Sequence, residues 1–164
     1  MEMLVEIREL SQLPYMRLME LYSQDLTESA HAHYPNLTEP EALFAAEQDF
    51  YTFLSDIFFK TPDARFYAWS VDGIWRSCLR TEPFEDGFLI CGITTEPAYR
   101  RCGYASKLLR SVLQQRKGKA YSHVRKDNLP SVQLHSKSGF QLHHQWARML
   151  NGEKLQSFCT FVYN

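Results

Sequence analysis

Apolar and polar residues alternate in MLVEIR, residues 3–8, the pattern of a half-buried first strand. The period then lengthens. Tyr15, Leu18, Met19, Tyr22 and Leu26 share one side of a helix, with Ser11 as its cap and Pro14 in its first turn. The polar stretch TESAHAHYPNL that follows reads as a loop. Thr38 and Glu41 have capping-box spacing and open a second helix, striped by Leu43, Ala46, Phe50, Leu54 and Ile57 and ending near Pro62.

Strand character returns at Arg65. RFYAWSV and IWRSCLRTE flank Asp72–Gly73, residue types that accept positive φ at both centres of a two-residue hairpin. EPFEDG makes the next turn, and FLICGITT reads as a buried strand. Ala105, Leu108, Leu109, Val112 and Leu113 stripe a third helix. KAYSHV is a further strand, expected to run parallel to its predecessor because a helix separates them. Asp127 or Asn128 caps a short helix stopped by Gly139, and FQLHHQWARML and KLQSFCTFVY flank Asn151–Gly152 as a last hairpin. This order predicts one domain over residues 1–164 of the α/β (α+β layered) class. Its mixed central sheet has about seven strands, flanked by about four helices.

Composition narrows the function classes. A chain of 164 residues with 45% hydrophobic and 14% aromatic residues can bury its own core and is not disordered. A net charge of −1 gives no whole-chain footprint for nucleic acid. Charges in MEMLVEIREL argue against a signal peptide, and no apolar run is long enough to span a bilayer, so no membrane partner is expected. Cys78, Cys91, Cys102 and Cys159 are far apart and form no CxxC pair. They suggest neither a zinc site nor a disulfide framework, and a reducing, cytoplasmic setting fits. The pairs His31/His33 and His143/His144 lack further ligands at a recognised spacing, so no metal is expected. They read as a loop pair and as a strand pair with rings on opposite faces.

Candidate chemistry concentrates in TEPAYRRCGYASKLL, residues 95–109. A strand feeds through Glu96–Pro97 into a helix start. The first amides of a helix lack internal partners and carry partial positive charge, which suits phosphate or carboxylate. Gly103 permits close backbone approach, Ala105 keeps the next site small, and Arg100 and Arg101 add charge. Neither GxGxxG nor GxxxxGK[ST] is present, so a dinucleotide fold and an ATP phosphate loop are not supported.

Two stretches in order, Arg100–Arg101–Cys102–Gly103–Tyr104–Ala105 after Pro97-x-Tyr99-Arg100, and NLPSVQLHSKSGF, resemble the GCN5-related N-acetyltransferase (GNAT) superfamily. In the second, Asn128, Ser131, Leu134, Lys137, Gly139 and Phe140 fall on the family's helix pattern. The resemblance implies a single acyl-CoA N-acyltransferase domain with acetyl-coenzyme A as cosubstrate. The amides from Arg101 to Ser106 would cradle the pyrophosphate. The edge of Ile93, Thr94 and Thr95 would bond the pantetheine arm, and Asn128 and Ser131 would line its other side. His135 stands where many members place a tyrosine that protonates the sulfur; it is either the general acid or a polar residue touching the cofactor, with Tyr121 a weaker alternative acid. Cys102 reads as a spacer rather than a nucleophile, and Glu96 is not assigned as a base. The acceptor would be a primary amine of a small molecule or peptide. Asp25, Glu28, His31, His33 and Tyr34 would suit a cationic amine, and Trp75, Phe88 and Trp146 are candidate pocket walls. A non-catalytic acyl-coenzyme A binding module is the alternative, and the final hairpin is compatible with a homodimer.

Overall fold

The computed structural model describes residues 1–149 and 151–164. β1 (Glu2–Ile7) leads to a 3-10 turn at Leu10–Gln12, then to α1 (Tyr15–Leu21), α2 (Ser23–His33) and α3 (Glu39–Phe53), which runs on as a π turn over Leu54–Phe58. β2 (Arg65–Val71), β3 (Ile74–Phe84) and β4 (Gly87–Thr95) follow, then a 3-10 turn at Pro97–Tyr99 and α4 (Tyr104–Gln115). The chain closes with β5 (Lys119–Arg125), α5 (Leu129–Lys137), β6 (Gln141–His144), β7 (Ala147–Arg148), β8 (Lys154–Leu155) and β9 (Phe158–Tyr163). Seven strands form one sheet in the order β1-β2-β3-β4-β5-β9-β6, and β7 and β8 form a separate ribbon. Within the large sheet β4 and β5 are parallel, and the other neighbours are antiparallel.

Turn chemistry sets the β2–β3 hairpin. Asp72 and Gly73 take φ of 50° and 80°, the pairing of signs that matches the twist of the flanking strands. Strand alternation then divides the core. Phe66 and Ala68 face α1–α3 together with Leu18, Met19, Leu54 and Phe58, while Tyr67 faces α4 and α5 with Leu79, Ile90, Leu108, Leu109 and Val112. Leu108, Leu109 and Val112 are fully buried, each contributing roughly 1.5–3 kcal/mol of burial free energy.

Several expectations about elements are corrected. Ser11 lies in the 3-10 turn, where Glu9 and Gln12 form the capping pair, and α1 begins only behind Pro14. The single stripe from Tyr15 to Leu26 is broken at Tyr22, and the expected loop is helical through His33. Leu26 and Ala30, one turn apart, are buried and hold α2 against the core, while its other side chains make a solvated face. His31 and His33 therefore sit on a helix end. Ile57 is 58% exposed and Phe58 fully buried, because the π turn inserts a residue and rotates the stripe by one position; α3 stops there, short of Pro62.

The last hairpin is also divided. β6 pairs with β9 in the main sheet, whereas β7 and β8 pair with each other across the Asn151–Gly152 turn. Leu150, part of the expected strand, lies outside the described residues. A register shift between Leu142 and His144 brings the His143 and His144 rings together, centroids 4.1 Å apart, rather than onto opposite faces.

Candidate functional site

β4 and β5 pair from Gly87↔Lys119 to Ile90↔Ser122 and no further. Beyond Ile90, β4 runs on to Thr95 and β5 to Arg125, so a slot opens between their C-terminal ends. On its other edge β4 stays joined to β3 as far as Ser77↔Thr95. Between Cys78↔Thr94 and Arg80↔Cys91, β4 holds one residue more than β3, a bulge at Gly92–Ile93. Gly92 carries it with φ of 59°. Its carbonyl accepts a 2.5 Å hydrogen bond from the buried Tyr22 hydroxyl. Thr94 Oγ1 donates to Leu21 O at 3.2 Å, and Ser77 Oγ donates to Thr94 O at 2.8 Å. Ile93, Thr94 and Thr95 are thus fixed from the β3 and α1 side, with their opposite edge turned to the slot.

The next turn is held rigidly. Glu96 accepts from Arg17 Nη2 at 2.5 Å and Arg76 Nη1 at 2.6 Å, while Arg17 also donates to Trp75 O. Arg76 stacks 3.9 Å over the Tyr99 ring. The Arg17 hydrogen bond, then Arg76, holds the Glu96 carboxyl below its ordinary pKa. An ionised carboxylate clasped by two guanidiniums is a strut and not a base.

Arg101 and Gly103 both take positive φ, 64° and 82°, on either side of Cys102. No side chain caps α4, and Lys107 N–H, bonded to Gly103 O at 3.0 Å, is the first helix amide with a backbone partner among the described residues. The amides of Tyr104, Ala105 and Ser106 precede it. A Cβ built on Gly103 would meet nothing within 4 Å. Open space in front of unpaired amides at a positive helix end fits a pyrophosphate. Arg100 is turned away, its Nη2 donating to Gln24 Oε1 on α2 at 3.0 Å, and Cys102 is exposed.

Across the slot, Asn128 caps α5 by accepting from Ser131 N–H at 3.3 Å. One helical turn on, His135 is 1% exposed, between the rings of Phe140 and Phe161. Its Nδ1 lies 2.7 Å from Ser131 O. A carbonyl only accepts, so Nδ1 carries the proton and Nε2 presents a lone pair, buried without a partner. Burial lowers the pKa of this ring, partly offset by the Ser131 backbone. Tyr121 points to the other face of the sheet, where its hydroxyl bonds to Asp86 and its pKa is pushed up to about 12.

That other face holds residues that the sequence motifs do not mark. A cavity of about 350 Å³ lies among Phe84, Tyr121, His123, His144, Trp146 and Thr160. Trp146 stacks on His144 at 4.3 Å. Thr160 Oγ1 donates to Trp146 O at 3.0 Å and lies 2.9 Å from His123 Nδ1. Nearer the bulge, the Arg80 guanidinium packs 5.0 Å from the Phe53 ring. Of the other acceptor candidates, Trp75 stacks on Phe66 in the core and Phe88 is buried under Arg116. Tyr34 bonds to Asp49 and His33 to Ser29, away from the slot. Asp25 is exposed near the start of α2, though packing around it raises its carboxyl pKa.

A strand that bulges and parts from a parallel neighbour, leading into an uncapped helix start, defines a site for an extended ligand with an anionic end. The sequence model of the acetyltransferase (GNAT) family matches residues 15–140. The chain belongs to this family of acetyl-coenzyme A-dependent acetyltransferases. Its fold is similar to that of the ribosomal-protein-S18-alanine N-acetyltransferase from Escherichia coli, with a TM-score of 0.61 and 16% identity over 99% of this chain and 92% of that one. The PaiA N-acetyltransferase from Thermoplasma acidophilum, solved with coenzyme A, gives a TM-score of 0.62 at 13% identity over 98% of each chain. A GNAT acetyltransferase from Elizabethkingia anophelis with acetyl-CoA bound gives 0.58 at 12% identity, covering 98% of this chain and 96% of that one. No curated protein sequence matches the chain. Among the described residues no helix is long and apolar enough to cross a membrane, and no three metal-ligating side chains come together.

Proposed function

We propose that this chain is an N-acetyltransferase that moves the acetyl group of acetyl-coenzyme A to a primary amine of a small molecule or peptide by direct attack. The observation that carries the reading is the continuity of slot, bulge and cradle along one segment, Cys91 to Ser106. In this assignment the amides from Arg101 to Ser106 bind the pyrophosphate. Arg100 reinforces the loop through α2, and Cys102 and Tyr104 space it. Ile93, Thr94 and Thr95 pair with the pantetheine arm, and a backbone N–H at Thr94 or Thr95 polarises the thioester carbonyl. Asn128 and Ser131 line the far wall.

His135 we assign to the packing between Phe140 and Phe161 beneath the slot and not as the acid. Its neutral ring has no proton on Nε2, and a second proton is opposed by its burial. A thiolate with a pKa near that of cysteine, about 8.5, leaves without a dedicated acid at neutral pH. The same bare Nε2, where many family members carry a phenol, is the observation that favours the second reading, an acyl-coenzyme A binding module without turnover.

Thiol release from acetyl-coenzyme A across a panel of amines separates the two readings. Binding of coenzyme A with no amine accepted would select the module. In the enzyme, His135→Phe is expected to keep kcat within about threefold; a hundredfold loss in a folded variant, about 2.7 kcal/mol of transition-state stabilisation, would restore His135 as the acid.

A further inference from the structure

Strand registers place Arg80 and His123 in one row across the mouth of the slot. Arg80 lies opposite Cys91 on β4, and Ile90 lies opposite Ser122 on β5, so Cys91 and His123 are the next position on each strand. His123 in turn lies opposite Thr160 on β9. Side chains in register share a face, so Arg80, Cys91, His123 and Thr160 line the α1–α3 side of the sheet where β4 and β5 part. Two strand spacings, the second widened where β4 and β5 part, separate Arg80 from His123, at least roughly 10 Å of backbone.

Arg80 is a half-buried guanidinium with no ion pair and no side-chain hydrogen bond among the described residues. The Phe50, Phe53 and Phe58 rings surround it at 5.0–6.0 Å. On the other side it abuts the bulge, where Nη1 would stand 3.2 Å from a Cβ on Gly92. Aromatic faces hold the cation but offer no acceptor for its five N–H groups. An anion in the groove satisfies both the charge and the donors.

His123 closes the row. The Thr160 hydroxyl lies within hydrogen-bonding distance of both Trp146 O and His123 Nδ1, and the ring's Nε2 is buried. Burial lowers the ring's pKa, against a smaller opposing pull from the Arg148 backbone. Cys91, between the two, has its thiol pushed up to about 12 by burial and is no nucleophile.

We propose that this row is the acceptor site and that the acceptor is an amine bearing an anionic group, a carboxylate or a phosphate ester. Arg80 binds the anion. The proposal rests on the acetyltransfer reading. The neutral amine nitrogen forms a bond to the thioester carbonyl carbon, and the C–S bond breaks with its electron pair going to sulfur. The nitrogen's proton is lost to water or taken up by the departing thiolate. Glu82, on the same face of β3 and bonded to Cys91 Sγ, and Asp25 of α2 lie near Arg80 without pairing with it, and the free guanidinium disfavours polycationic acceptors.

The test is coenzyme A release with β-alanine and phosphoethanolamine against ethylamine, ethanolamine and putrescine. One or both anionic amines should exceed their uncharged-tail partners at least a hundredfold in kcat/KM, and which one does identifies carboxylate or phosphate. Arg80→Gln should remove that advantage through KM, with Arg80→Lys restoring part of it. Equal use of all five amines, or an Arg80→Gln variant with the wild-type preference, overturns the anion site. Calorimetry of the coenzyme A-loaded protein with N-acetyl-β-alanine and N-acetylphosphoethanolamine needs no turnover. Arg80-dependent binding without any amine turning over would refute acetyltransfer and keep the anion site. Binding unaffected by Arg80→Gln would refute the anion site by itself.

Discussion

Gly103→Ala separates what the cradle does for the fold from what it does for the ligand. At φ of 82° an alanine strains the backbone, costing roughly 1–2 kcal/mol. Nothing in the protein lies within 4 Å of the added Cβ, so there is no packing penalty to add. For a domain of this size that predicts a fall in Tm of roughly 2–8 °C, and a variant that still folds. The ligand sees more. The methyl group occupies the open space before the amides of Tyr104, Ala105 and Ser106, where the pyrophosphate is assigned. Losing close approach to even one amide should weaken coenzyme A at least about tenfold, or 1.4 kcal/mol. Isothermal calorimetry on wild type and variant reads this directly. S-acetylpantetheine, which has no pyrophosphate, supplies the internal control: its kcat/KM should be nearly unchanged while that of acetyl-coenzyme A falls. A folded Gly103→Ala protein with wild-type affinity for coenzyme A would place the pyrophosphate elsewhere. Equal losses for both donors would refute the cradle as a phosphate site.

Gly92→Ala should behave differently, because a Cβ there stands 3.1 Å from the Tyr22 hydroxyl that bonds the same residue's carbonyl. Backbone strain and overpacking together should remove roughly 2–5 kcal/mol in urea unfolding, and a loss below 1 kcal/mol would mean that the bulge relaxes freely. Glu96→Gln should alter the acid limb of stability. The Arg17 and Arg76 contacts depress the Glu96 pKa, so the clasp stabilises above the ordinary carboxylate value of about 4.3 and is lost as pH falls through the folded value. The variant should start less stable at pH 7 and lose less between about pH 5 and pH 3; Tm–pH curves that stay parallel would count against the strut.

Elements with a strong period or a defined turn were legible in the chain. The Asp72–Gly73 hairpin, the Thr38–Glu41 capping pair, the parallel KAYSHV strand and the Leu108–Val112 stripe all form as expected. α2 was not, because Leu26 and Ala30 are its two buried anchors and the polar remainder looks like a loop in one dimension. Ile57 and Phe58 exchange places for a reason no period contains, a single inserted residue in the π turn. The uncapped helix start was legible because its residues are contiguous: a glycine, two arginines and the first turn of α4 fall within one short segment. The proposed acceptor row was not. Arg80, Cys91, His123 and Thr160 come from four strands, and only the registers put them side by side. One signal was available: Arg80 interrupts an otherwise strand-like run.

The location of the site follows from the topology. Among the described strands of the large sheet, β4 and β5 are the one parallel pair, and a parallel pair demands a crossover. α4 supplies it, so the positive end of a helix is delivered to the carboxyl end of β4. At that same end the pair separates, after Ser122 on β5. An antiparallel β5 would have been reached by a short turn, with no helix start and no uncapped amides. The bulge at Gly92 adds the second requirement. It shifts β4 by one residue, so that Thr94 and Thr95 bond back to β3 and α1 while the edge toward β5 stays open. Closing that edge by restoring the ladder would remove the slot even with every cradle residue in place, which is why Gly92→Ala and Gly103→Ala should fail in different assays.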